Sequence, residues 1–214
     1  MKTTLNMAAI ALLFVLNACA PSMNAVWQKE NYAARPFKKI AVIAISKNLE
    51  YRQEMESAIM TNIKKQYPNV TLVSGLNLFP PNVKASEWEE GKVEALLTQN
   101  GIDAVLTTSL IDNYTTQDLD YAGGSYYYPT YHRVGRYMFR TYNGIYASPT
   151  YDVSQNYVFQ SSLFDLNETG NKENQLIWQG QSSVVDPSSI ESASGSYAKN
   201  LVGFLVDKNY FKAQ

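Results

Sequence analysis

The apolar positions of this chain fall into a few bounded runs, each with a readable period. Lys39 to Ser46 (KIAVIAIS) is almost continuously apolar and half β-branched, the pattern of a strand buried on both faces. From Leu49 to Tyr67 the apolar residues Tyr51, Met55, Ala58, Ile59, Ile63 and Tyr67 return at helical spacing, which predicts an amphipathic helix. Asn48 stands where an N-cap belongs and Pro68 stops the run. Val70 to Val73 reads as a second strand, and residues 74–83, with Gly75, Pro80 and Pro81, as a loop. Ser86-Glu87-Trp88-Glu89 has the form of a capping box. It opens a helix through Val93, Leu96 and Leu97 that ends at Gly101, where positive φ is cheap. Asp103 to Ile111 (DAVLTTSLI) is the third strand expected.

Between Tyr114 and Thr150 the rhythm breaks, and it resumes with an alternation from Tyr151 to Phe164. Tyr151, Val153, Tyr157, Phe159 and Leu163 would face one side; Asp152, Ser154, Asn156, Gln160 and Ser162 would face the other. A polar turn over 165–174 and a return strand over 175–185 complete an antiparallel hairpin. Ser188-Ser189-Ile190-Glu191 is a second capping box. It starts a last helix whose stripe runs through Ile190, Ala193, Tyr197, Leu201, Phe204 and Leu205 to Lys208. The order β-α-β-α-β, a Tyr-rich insertion, a β-hairpin and a C-terminal helix predicts an α/β fold with a mixed sheet covered by helices.

The first 18 residues read as an address. Lys2 gives a positive n-region and Met7 to Leu16 an apolar run of about ten residues, the length of a signal-peptide core and about half of a membrane span. The run ends in Leu16-Asn17-Ala18-Cys19, which resembles the bacterial lipobox. That resemblance implies a diacylglyceryl group on Cys19, cleavage after Ala18 and acylation of the new amino group. Ala20 in place of Asp implies sorting to the outer membrane, with the protein on the leaflet facing the periplasm. Residues 19–37 are expected to form a tether, and residues 38–214 a single domain with its insertion at about 114–150.

Composition narrows the function classes. Removal of 18 of the 214 residues leaves 196, enough for one packed domain. A formal net charge of −1 argues against nucleic acid, whose phosphates call for a basic surface. Cys19 is the only cysteine, so no disulfide is expected and stability must come from the core.

The element order, and its local sequences, also resemble a group of envelope lipoproteins. The carriers are Lys38-Lys39 before Ile40-Ala41-Val42, Gly101-Ile102-Asp103-Ala104-Val105-Leu106, and Leu163-Phe164-Asp165-Leu166 followed by a Gly turn and Leu176-Ile177-Trp178-Gln179-Gly180. This is similar to the fold shared by the curli secretion pore, the TolB N-terminal domain and the lipoprotein activators of penicillin-binding proteins. The resemblance covers roughly Lys38 to Asn113 and Tyr151 to Phe211. It implies a fold, a compartment and a non-enzymatic role, with no catalytic residues to transfer.

The inventory of catalytic groups is thin. His132 is the only histidine, so no histidine-rich metal site is expected, and no G-x-S-x-G or phosphate-loop pattern occurs. Neither a cofactor nor a catalytic residue is assigned. Glu87, Glu89, Glu90 and Glu94 read as a solvated face near a helix N-terminus, which favours negative charge. The chemistry concentrates in the insertion, where Tyr126, Tyr127, Tyr128, Tyr131, Arg133, Arg136, Tyr137 and Arg140 cluster. Tyr and Arg are the residue types of interface hot spots. Four readings stand side by side: tyrosines folded back on the sheet, a surface docking an envelope protein, a platform stacking on a glycan such as peptidoglycan, and a membrane-inserted ribbon. Docking is the functional expectation, with the glycan platform as the alternative. The expected partners are thus the membrane, through Cys19, and an envelope protein, with no nucleic acid.

Overall fold

The computed structural model describes residues 23, 25–82, 90–117, 127–134, 137–144, 153–168 and 175–212. In chain order the elements are β1 (Ala25–Gln28), β2 (Lys39–Ile45), α1 (Leu49–Gln66), β3 (Thr71–Ser74), α2 (Gly75–Leu78) and α3 (Glu90–Gln99). They continue with β4 (Ala104–Gln117), β5 (Tyr127–Val134), β6 (Tyr137–Gly144), β7 (Val153–Asp165), β8 (Leu176–Val185) and α4 (Ile190–Asp207). Six strands form one sheet in the order β1-β8-β7-β4-β2-β3, and β5 with β6 forms a second, two-stranded sheet. β2 runs parallel to β3 and β4, whereas the β4–β7, β7–β8 and β8–β1 pairs are antiparallel. The fold is therefore α/β with a mixed sheet, as the order of periodic runs predicts.

The two long helices share one face. The α1 stripe of Met55, Ile59 and Ile63 and the α4 stripe of Ala193, Tyr197, Leu201 and Leu205 meet Leu106, Phe159, Leu163 and Trp178 in one cluster. Each large side chain fully buried here contributes roughly 1.5–3 kcal/mol. A smaller cluster on the opposite face joins Ala41, Ile43 and Val105 to Leu78, Val93 and Leu97. Asn48 caps α1 by accepting from the Tyr51 N–H at 3.0 Å, and Gly101 has φ 62°, both as expected.

Several expectations are corrected. Residues 74–83 do not form a loop throughout: Ser74 caps a one-turn helix, α2. The cap of α4 is Ser189, accepting from the Ser192 N–H at 3.0 Å, not Ser188 paired with Glu191. The capping box at Ser86 lies outside the described residues. The third strand runs on to Gln117 rather than stopping at Ile111, with its register shifting between Leu110 and Asp112. The β7 alternation fails in its second half, where Ser161 to Asp165 are all buried, because helices lie on both sides of the sheet there.

The segment expected as a tether is the largest correction. Ala25–Gln28 pairs with β8, and the chain after it is strapped to the body. Tyr32 donates its hydroxyl to Asp165 at 3.0 Å and Arg35 pairs with the same carboxylate. Lys29 pairs with Glu168 at 2.6 Å.

A turn of contact holds α1 to the parallel edge. The Glu56 carboxylate accepts from the Ala44 and Leu76 N–H groups, both at 3.0 Å, and from the Ser74 hydroxyl. Gly75 passes so close that a Cβ there would lie 2.7 Å from Glu56 Oε1 and 2.9 Å from Ile43 Cα. Because one obstacle is backbone, Gly75→Ala is expected to destabilise by about 1–3 kcal/mol, read as a lower urea midpoint at unchanged slope.

Candidate functional site

β4 and β7 outrun the rest of the sheet. β2 leaves β4 at Ser109, while β4 and β7 stay paired to Gln117 and Val153. β8 accompanies β7 as far as Asn156, so only residues 115–117 and 153–155 form a two-stranded end, and the insertion follows β4 from there. Within the insertion, β5 and β6 pair in register from Tyr127↔Gly144 to Val134↔Tyr137, and β6 runs close to β4. Of these two strands the structure describes the backbone.

This places the residues that composition singled out. Tyr127, Tyr128, Tyr131, Arg133, Tyr137 and Arg140 all fall on the β5–β6 hairpin, and Tyr131 stands directly opposite Arg140. Tyr126 and Arg136 lie outside the described residues, as do Cys19 and the signal segment. The strand period of two separates the group. Tyr127, Tyr131, Arg133 and Arg140 occupy positions of one face; Tyr128 and Tyr137 occupy the other. His132, expected in an irregular stretch, is a strand residue opposite Phe139.

A second feature sits just past the carboxyl end of β2, beside Leu110 in the middle of β4. A pocket of about 350 Å³ is lined by Ser46, Asn48, Tyr51, Leu110, Tyr157 and Phe159, with Pro187, Ser189 and Ile190 closing it from α4. In open α/β sheets such crevices form where successive connections leave a strand in opposite directions. Here β2 has β3 on one side and β4 on the other. The floor is aromatic: Tyr51 stacks on Phe159 with ring centroids 6.2 Å apart and planes 6° from parallel. Phe159 also meets Tyr197 at 4.8 Å.

Beneath it lies a buried hydroxyl relay. Thr108 and Ser161 are 2.7 Å apart, and Ser161 and Tyr197 are 2.8 Å apart. Burial pushes the Tyr197 and Tyr51 phenols well above the ordinary range, so both stay neutral. The Tyr51 hydroxyl is buried and finds no hydrogen-bond partner among the described residues. The sequence reads Tyr51 only as core, and its stripe position gives no hint of a pocket.

A shallower groove of about 660 Å³ runs between α1 and the β3 edge, past Met60, Lys64, Leu72 and Leu76. Glu56 reaches it, yet its oxygens are taken up by the three donors named above. Burial, opposed by those donors and by Arg52, raises its pKa. Among the described residues no three His, Cys, Asp or Glu side chains gather in a metal-binding group. No helix there is long and apolar enough to cross a membrane.

No family model matches the chain, and no curated protein matches it. Solved structures with a similar course include a PelC dodecamer from Paraburkholderia phytofirmans. Its chain is 11% identical with a TM-score of 0.40, over 88% of this chain and all of that one. Lipoprotein GNA1162 from Neisseria meningitidis is 14% identical with a TM-score of 0.39, over 79% of this chain and 98% of that one. A PDZ domain protein from Parabacteroides distasonis is 14% identical with a TM-score of 0.37, over 82% of this chain and 32% of that one. These likenesses assign the chain to no family.

Proposed function

We propose that the protein is a non-enzymatic lipoprotein, anchored through Cys19 in the outer membrane and facing the periplasm. Its α/β domain would serve as an assembly or accessory module that docks an envelope protein. The observation that supports docking is the separate β5–β6 sheet: a hairpin outside the six-stranded sheet carries Tyr127, Tyr131, Arg133 and Arg140 on one face. Tyr presents large contact area with few rotors to freeze, and Arg adds charge-assisted hydrogen bonds. Anchoring confines the domain near the membrane and raises its effective concentration beside an envelope partner.

The test is site-specific photocrosslinking in intact cells from position 131, with position 191 on α4 as control. The expected result is a discrete adduct with one envelope protein from position 131 alone, lost when the arginines at 133 and 140 become Ala. Adducts of equal yield from both positions, or none, would remove the docking role. Co-sedimentation of the purified domain with peptidoglycan, lost in Tyr127→Ala/Tyr131→Ala, would replace it with the glycan-binding alternative.

A further inference from the structure

The sheet has one edge with two exposed large apolar residues, and it lies beside the chain's lipid-bearing end. β1 occupies that edge, with Val26 opposite Gly180 and Trp27 opposite Gln179. Val26 is 43% and Trp27 49% exposed. Neighbouring residues of a strand point to opposite faces of the sheet. No face of the sheet therefore presents both, and what they share is their place on the edge strand.

The body is fastened close behind this strand. Met23 packs against the main core; its Cε lies 3.0 Å from the position a Cβ on Gly180 would take. The Lys29 N–H then bonds to the Ile177 carbonyl at 3.0 Å. Cys19 to Met23 is four peptide steps, a reach of at most about 14 Å. A leash of about eighteen peptide steps, as the sequence suggests, would let the domain turn freely above a bilayer. Four steps do not.

We propose that the β1 edge is the membrane-contacting surface of the protein, with Trp27 and Val26 seated in the lipid headgroup layer. This rests on Cys19 being the lipid anchor. Trp is suited to that layer because its ring is largely apolar and its N–H remains free to bond. The depth is bounded by the backbone. Among the described residues no strand pairs with the outer side of β1, and its N–H and C=O groups there suit hydrated headgroups and not hydrocarbon. The ion pair of Lys29 with Glu168 keeps the neighbouring ammonium compensated by the body, so contact depends on apolar and interfacial affinity more than on anionic lipid. The sheet then stands edge-on, with β3 farthest from the bilayer by roughly 24 Å, five strand spacings.

The experiment uses the mature chain from Cys19, attached in two ways to phosphatidylethanolamine/phosphatidylglycerol vesicles doped with lipid brominated near the headgroup. One arm uses protein acylated in cells; the other couples the single thiol to a maleimide lipid. Tryptophan emission is compared with that of Trp27→Phe, which retains Trp88 and Trp178. In both arms the Trp27 contribution is expected to shift blue and to be quenched by the brominated lipid, and this component is lost in Trp27→Phe. A Trp27 emission that remains solvent-like and open to iodide on the vesicle overturns the proposal. So does protection that appears without lipid and grows with protein concentration, which identifies a second copy on the edge. Failure of labelled fatty acid to enter Cys19 in cells removes the anchor reading alone, since the maleimide arm still reports where Trp27 sits.

Discussion

Glu56→Ala is expected to lower stability by about 2–4 kcal/mol, because it leaves the buried Ala44 N–H without an acceptor at about 1–3 kcal/mol and removes a packed side chain, while the Leu76 N–H keeps the Ser74 hydroxyl at 3.1 Å. In a domain of this size that corresponds to a drop in melting temperature of roughly 4–16 °C. Three elements lose their common fastener: Ala44 on β2, Ser74 at the cap of α2 and Leu76 within it all donate to this one carboxylate. Protection of the Leu76 and Ala44 amides from hydrogen exchange is expected to fall more than that of Leu106 in the middle of the sheet. Equal loss at all three would mean that Glu56 contributes only to global stability.

The same group carries a pH signature. Its pKa is raised in the fold, burial outweighing the hydrogen bonds of Ser74, Leu76 and Ala44. Between the ordinary glutamate value of about 4.3 and the raised value, the folded state holds a proton that the unfolded chain has released. Stability contributed by this site therefore declines as pH rises through that interval and is level above it. Glu56→Gln removes the slope at this site. A denaturation series from pH 4 to 8 that shows the same slope in both proteins would assign it to other groups.

The parts of the fold legible in the sequence are those whose neighbours are local. β2 is legible because five consecutive buried residues, Ile40 to Ala44, leave an unbroken apolar run, and α1 because its buried side lies on one stripe with a local cap and a proline stop. β1 is invisible for the opposite reason. Ala25-Val26-Trp27-Gln28 has no period of its own, and its conformation comes from pairing with β8 about 150 residues later in the chain. The α4 cap shows a finer limit. Ser188 and Ser189 are both competent caps, and the choice depends on how the chain enters: Asp186 sits at φ 46° and its Oδ1 accepts from the Gln155 N–H on β7, which hands the role to Ser189. For the candidate site, composition located the Tyr/Arg cluster but not its division. Tyr128 and Tyr137 are parted from Tyr131 and Arg140 by hairpin register, which neither strand's own sequence carries. The pocket past the end of β2 joins α1, α4, β4 and β7, and no contiguous segment carries its signature.

Asp165→Ala is expected to cost about 2–4 kcal/mol and, with it, to free the segment that keeps the anchor short. Asp165 is fully buried. Its carboxylate receives Arg35 on both oxygens, the Tyr32 hydroxyl at 3.0 Å and the Asn167 N–H at 3.0 Å. Breaking a buried pair from one side costs about 3–5 kcal/mol; the lower figure applies because Arg35 is 37% exposed on its side chain and recovers part of its hydration. Arg35→Ala/Asp165→Ala is expected to lose less than the sum of the single variants, since the two act as a unit. The local consequence separates this site from Glu56. Without Asp165, the stretch between Lys29, still held by Glu168 and the Ile177 carbonyl, and Phe37, still buried in the core, loses its ion pair, and the strap that follows β1 is weakened. Trypsin cleavage after Lys29 is then expected to speed up under native conditions, while the Met55 and Leu201 core stays protected. Once β1 also leaves β8, the free span from Cys19 lengthens from four steps to about eighteen, a reach of roughly 60 Å. On vesicles to which Cys19 is coupled through a maleimide lipid, Trp27 in this variant is expected to leave the headgroup layer. Slow cleavage with Trp27 still quenched would mean that β8 alone holds β1, and that Asp165 serves only the interior.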